Sequence, residues 1–425
     1  MHMLLDQYNV VEIRKQFPAL QQTFNQKPIV FLDGPGGTQV HASVIQVMER
    51  YYRSANSNAH GAFLYSQRTD EITYRARQSV ADFLNAPRPE EIVFGPNMTT
   101  LTFRMSQAIG TILNPGEKVV LTRLDHDANI APWVSLKEKG IEIDHVAFDP
   151  TDCTLDMERM EQAINSGRTK IVAVGYASNA VGTINDVRKI TEMAHHAGAW
   201  IYIDAVHYAP HGSIDVQSLQ CDFLVCSAYK FFGPHLGILF GKHALLEALP
   251  ARKVRPAGNM PPDKFETGTN SFEAISGAAA AIDYLASLGP LFEDNTGGAA
   301  PSDRKGRLKG AMTAIRSYEK MLCREMIAGL GEIRGLRIYG ITEPEAMDRR
   351  VPTVSFTIEG RHPKEIAREL NKRNIFVWDG NFYALAVTED LSLEQKGGMV
   401  RVGLCHYNTI EEVQTLIDEV SEIAR

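Results

Sequence analysis

Lys230 lies in the run Cys226-Ser227-Ala228-Tyr229-Lys230-Phe231-Phe232-Gly233-Pro234, directly after the apolar stretch Phe223-Leu224-Val225. A strand that ends in Ser-x-x-Lys delivers an amine to the rim of a sheet. Such an amine can form a Schiff base with an aldehyde cofactor, and the preceding Ser227 can hold a phosphate. Pyridoxal 5'-phosphate is the cofactor that needs both groups. An isolated Ser-x-x-Lys is more often an ordinary surface lysine, so the reading depends on what the rest of the chain supplies.

Asp204 ends the apolar run Trp200-Ile201-Tyr202-Ile203. A carboxylate there can pair with a pyridine nitrogen and keep the ring an electron sink; the plainer role is a helix cap or loop aspartate. His207, three residues on, can reach the cofactor's phenolic oxygen or be a structural histidine bonded to backbone, and His211 is a weaker version of the same case. His126, in Leu124-Asp125-His126-Asp127-Ala128-Asn129, can stack on the ring and shuttle protons, or simply cap a surface loop. Its acidic flanks look metal-binding only superficially, because no other His, Cys or Asp set has ligand spacing. Gly95-Pro96-Asn97-Met98-Thr99-Thr100 reads as strand, turn and helix start, a phosphate cradle of free N–H groups at Met98 and Thr99. A plain Thr N-cap explains one threonine but not the placement. Asn179 follows a strand and can meet the phenolic oxygen or a substrate carboxylate, or be a turn residue before Gly182. Arg401 lies within the apolar strand Met399-Val400-Arg401-Val402-Gly403. It can clamp a substrate α-carboxylate or form a structural salt bridge.

Short apolar runs place these groups. Strands are expected at 91–94, 118–122, 141–146, 170–175, 199–203, 223–226 and 238–240, with helical patterns between several of them, such as 186–197. That alternation implies an α/β fold with a mostly parallel sheet between helices, and ligands in such sheets bind beyond the strand carboxyl ends. Residues 31–288 form the expected large domain. Residues 274–288 read as an alanine-rich helix and 289–308 as a polar loop or insertion. Residues 309–425 read as a smaller α+β domain: a long helix from about Lys309, strands at 351–357 and 399–403, a helix at 363–373 and a last helix from Thr409. The N-terminal segment, 1–30, with a helix at 10–17, is expected to pack with it.

Composition bounds the rest. The 425 residues are 44% hydrophobic and 22% charged, with net charge −7. Nothing points to nucleic acid or a membrane as partner. The start of the chain has no secretory pattern. Five scattered cysteines without a CxxC argue against disulfides or zinc and for a cytoplasmic setting.

Together, Leu32-Asp33-Gly34-Pro35-Gly36-Gly37-Thr38, the segment 125–129 with Pro132-Trp133, Ser178-Asn179-Ala180-Val181-Gly182-Thr183, the segments 204–207 and 227–230, and Phe265-Glu266-Thr267-Gly268-Thr269 resemble the class V aminotransferases, fold type I PLP enzymes. The resemblance is to the branch of cysteine desulfurases, selenocysteine lyases and isopenicillin N epimerase-like proteins. Arg401 with Tyr407-Asn408-Thr409 extends it almost to the C-terminus. It implies a Schiff base at Lys230, ring stacking by His126 and a pyridinium partner at Asp204. It places Met98, Thr99, Ser227 and His207 at the phosphate or phenolic oxygen, with Asn179 near that oxygen and Arg401 on the substrate carboxylate. It also implies a homodimer with its site at the subunit interface, where Thr269 would reach the phosphate of the neighbouring chain. A sulfur-acceptor protein stays open as a partner.

Two departures separate the chain from desulfurases. Tyr229 stands where they have His before the lysine, and Tyr383 stands where they carry a loop cysteine. A phenol cannot accept sulfur as a persulfide, since that needs a thiolate. The expected chemistry is desulfurase-like C–S cleavage of an amino-acid substrate, releasing sulfide or a thiol. Epimerisation or transamination is the enzymatic alternative, and a PLP-binding protein without turnover is the other. Cys405 and Cys226 are the weak candidates for a substitute nucleophile. Trp378, Phe382 and Tyr383 suggest a pocket that closes over a bulkier or apolar substrate, or plain loop packing.

Overall fold

The computed structural model describes residues 8–289 and 303–425. Most of the expected 289–308 loop lies outside the described residues. A small hairpin joins β1 (Thr23–Phe24) to β2 (Lys27–Pro28), and β3 (Val30–Phe31) follows. The large sheet is built from β4 (Ile92–Gly95), β5 (Lys118–Thr122), β6 (Glu142–Val146), β7 (Thr169–Gly175), β8 (Trp200–Asp204), β9 (Phe223–Ser227) and β10 (Gly237–Gly241). Its order is β4-β10-β9-β8-β7-β5-β6. β10 runs antiparallel to both neighbours, and the remaining pairings are parallel. β4, β9 and β10 are buried along their whole length, as expected for strands covered on both faces.

The covering helices carry readable signals. Helix Val187–His196 buries Val187, Ile190, Thr191 and Ala194, one helical stripe, and Asp186 caps it by accepting from the Lys189 N–H at 3.0 Å. Helix Phe272–Leu288, alanine-rich as expected, packs against Ala42–Ser54 and Leu64–Leu84. Small side chains let these helices approach closely.

The C-terminal part forms a second, antiparallel sheet from β11 (Leu336–Tyr339), β12 (Thr353–Ile358), β14 (Trp378–Gly380) and β15 (Met399–Gly403), in the order β11-β12-β15-β14. β13 (Ile375–Phe376) pairs instead with β3. Helices Arg304–Gly331, Pro363–Lys372 and Ile410–Ala424 pack here, the last opened by a Thr409/Glu412 capping box. The N-terminal helix Val10–Lys15 docks on the same part: Arg14 pairs with Glu412 at 2.8 Å and donates to the Tyr407 carbonyl. No helix among the described residues is long and apolar enough to cross a membrane.

Candidate active site

β4, β5, β7, β8 and β9 end at one edge of the large sheet. A cavity of about 920 Å³ opens there, closed on its far side by β14, β15 and the 381–384 loop. Asp204 closes β8 and Ser227 closes β9, while the exits of β5, β7 and β4 bring in His126, Asn179 and the start of helix Met98–Ile109.

Lys230 sits on the one-turn helix Ala228–Lys230 that β9 runs into, with its side chain buried on the cavity wall. Its amine donates to the Pro35 carbonyl and lies 4.9 Å from the Tyr229 ring centroid. Burial pulls its pKa down to about 7, and Arg401 pulls the same way while Asp204 opposes. Asp204 moves in the other direction. Burial raises its carboxyl to about 7, although its oxygen accepts from the Val206 N–H at 2.9 Å.

His126 Nδ1 accepts from the Ala128 N–H at 3.0 Å, which leaves the other ring nitrogen to carry the proton. Burial, then Lys230 and Arg401, lower its pKa to about 4, so the ring is neutral. His207 lines the cavity but bonds through Nε2 to Thr353 Oγ1 of β12 at 2.9 Å, and burial keeps it neutral as well. His211 lies outside the cavity lining and pairs with buried Glu319 at 2.8 Å.

Asn97 caps helix Met98–Ile109 by accepting from the Thr100 N–H at 2.8 Å. Met98 and Thr99 line the cavity, and the Ser227 hydroxyl has no hydrogen-bond partner among the described residues. Thr269, like His211, is left outside the cavity by the fold. It is exposed, on a segment anchored through Glu266, which takes a bidentate pair from Arg77 at 2.6 and 2.7 Å and accepts from the Phe94 N–H.

Arg401 is buried in β15 without a carboxylate within bonding distance. Its Nη1 donates to the Asn179 carbonyl at 2.9 Å, its Nε has no partner, and its guanidinium lies 4.2 Å from the Phe382 ring centroid. Burial lowers its pKa to about 9, with Tyr229 and Asp33 opposing. Asn179 donates to the Phe382 carbonyl at 2.9 Å, and its own Oδ1 is buried without a partner.

Tyr383 stands exposed on the loop after β14 and stacks on His126 at 5.6 Å between centroids. The loop is held in place. The Asp127 N–H donates to the Tyr383 carbonyl at 2.7 Å, Asn179 holds Phe382, and Asn381 donates to Glu394. None of the five cysteines lines the cavity; all are buried, and burial pushes the Cys405 thiol well above its ordinary value.

Several cavity residues escaped the sequence reading as site residues, Asp125 and Gly36 among them. Asp125 is buried and pinned by Thr122, Asn129 and the Gly175 N–H at 2.7, 2.8 and 2.9 Å, and burial raises it to about 6. The Asn four residues on was the available signal. Gly36 lies under the Trp378 indole, where any Cβ would collide with it; the 32–38 segment gave a resemblance but no role.

A buried lysine, a carboxyl and a helix start thus meet in one cavity at the strand ends of an α/β sheet. The class V aminotransferase profile matches residues 30–293 and 308–416. A cysteine desulfurase of Synechococcus elongatus is 33% identical over 98% of this chain, which spans 64% of that relative's length. A probable cysteine desulfurase of a Synechocystis strain is 31% identical over 97% of this chain and 95% of its own length. The apo structure of a cysteine desulfurase from Thermococcus onnurineus superposes with a TM-score of 0.84 at 26% identity, covering 97% of this chain and 98% of that one. The chain belongs to the class V aminotransferases, an enzyme family of α/β fold.

Proposed function

We propose that the chain binds pyridoxal 5'-phosphate at Lys230 and cleaves a C–S bond of an amino-acid substrate, releasing sulfide or a thiol without a protein persulfide. The observation that carries the cofactor assignment is the buried Lys230 amine, lowered to about 7, on the wall of the cavity that Asp204 also lines. The cavity fits the group. The N–H groups of Met98 and Thr99 and the free Ser227 hydroxyl suit a phosphate. His126 offers a flat neutral ring that would stack on the cofactor, and Asp204 would pair with its ring nitrogen. His207 would lie near the phenolic oxygen, and in a homodimer Thr269 would reach the phosphate from the neighbouring subunit. When bound, the cofactor withdraws electrons from the substrate α-carbon.

The chain's own residues then bind and move protons. Arg401 takes the substrate α-carboxylate, for which its unpartnered Nε and shortage of carboxylates are suited. The orphan Oδ1 of Asn179 accepts from a donor such as the substrate amine or a protonated phenolic oxygen. Lys230 Nζ, whose pKa burial brings down to about 7, takes the α-proton. Tyr383 and the pinned 381–384 loop cover the cavity mouth. With every cysteine buried away from the cavity, sulfur leaves in solution.

Incubation with cysteine tests the reaction. Cysteine and water should give sulfide, pyruvate and ammonia. The Lys230→Ala variant should lose this activity and Cys405→Ser should keep it. Alanine as the product, lost in Cys405→Ser, would overturn the assignment.

A further inference from the structure

We propose that the preferred substrate carries a side chain ending in a cation, held between Asp127 and the rings of Trp378 and Tyr383. The proposal rests on reading the cavity as an amino-acid site. Its first ground is charge. The cavity lining holds five carboxyl groups, Asp125, Asp127, Asp204, Asp379 and Glu394, against two basic groups, Lys230 and Arg401. Lys230 serves the cofactor and Arg401 the α-carboxylate, so no cation is left to receive an acidic side chain. Asp125, Asp204 and Glu394 have hydrogen-bond donors of their own. The carboxyl groups of Asp127 and Asp379 have none among the described residues, and both residues are half-buried.

The second ground is aromatic surface. Tyr383 is 74% exposed and Trp378 49%, yet both line the cavity. Tyr383 stacks one face on His126; exposed ring faces near a carboxylate attract an alkylammonium, whose carbon stem covers the ring while its charge meets the ring face. Asp127 is adjacent to Tyr383, since its N–H donates to the Tyr383 carbonyl. The indole lies against Gly36, where a Cβ would collide with it. The unpartnered Asn179 Oδ1, on a residue only 8% exposed, marks the cavity as a ligand site without bearing on the side-chain charge. It calls for a ligand that carries hydrogen-bond donors.

S-(2-aminoethyl)-L-cysteine has these features. Its α-proton would pass to Lys230 Nζ. The Cβ–S bond would break with the electron pair leaving on sulfur, which takes up a proton and departs as 2-aminoethanethiol. Water would hydrolyse the three-carbon remainder to pyruvate and ammonia. No oxidant or reductant is needed.

The test is a titration of the holoenzyme with the S-(2-aminoethyl), S-propyl and S-carboxymethyl derivatives of L-cysteine. Cofactor absorbance gives each Kd, and pyruvate release gives turnover. The cationic probe should bind about tenfold tighter than the neutral one, and the acidic one weakest. Asp127→Asn should bring the first ratio towards one, and so should Trp378→Leu, each checked for native circular dichroism. A neutral or acidic probe that binds as tightly as the cationic one overturns the proposal, as does a ratio that survives in both variants. A protein that takes up no cofactor would overturn the underlying cofactor reading, and this proposal with it.

Discussion

Burial strips Lys230 of its proton three or more pH units below an ordinary lysine, because the charged amine loses its water while Arg401 repels it. The neutral amine is the form that attacks an aldehyde. The rate of cofactor capture by the apo protein should therefore rise with pH up to about 7 and level off above it. An exposed lysine would keep gaining up to about 10.4. Stopped-flow absorbance across that range checks this, and a rate still climbing at pH 9 would contradict it. At this scale much of the site was legible. Lys230, Ser227 and Asp204 each lie within a few residues of an apolar run, so spacing alone delivers them to a sheet edge. Asp125 was not legible, because its importance comes from Thr122, Asn129 and Gly175 closing round it. Asn179 was readable as a candidate, but its hold on Phe382, 203 residues away, was not.

The elements that were readable are those with a strong period or a cap. β5 falls where expected, at Lys118–Thr122, and the other strands of the large sheet start and stop within a residue or so of expectation. β13 and β14 are two and three residues long and carry no period to read. The long helix starts at Arg304 rather than near Lys309. Asp303 caps it through the Gly306 N–H at 3.0 Å, so a glycine that reads as loop sits in a first helical turn. Capping matters most at helix Met98–Ile109, whose open N–H groups face the cavity. Asn97→Ala should cost about 1 kcal/mol of stability and loosen the cofactor by disordering those groups. Urea unfolding and cofactor dissociation during dialysis measure the two effects. Normal stability together with faster cofactor loss would contradict the capping account.

At the scale of the whole chain, the site exists because two parts of the sequence meet. The large sheet supplies Lys230, Asp204, His126 and the helix start; the second sheet supplies Arg401, Trp378 and the tyrosine loop. The fold class followed from strands alternating with helices. The closing of the cavity by the 381–384 loop did not, since it depends on contacts with Asp127 and Asn179 that no local pattern encodes. The central claim is that this convergence makes Lys230 the cofactor's anchor. Borohydride reduction of the purified holoenzyme, followed by peptide mapping, tests it most directly. The account predicts a single pyridoxyl-phosphate adduct on the peptide that contains Lys230, absent from Lys230→Ala. An adduct on another lysine, or none at all on protein saturated with the cofactor, would contradict it.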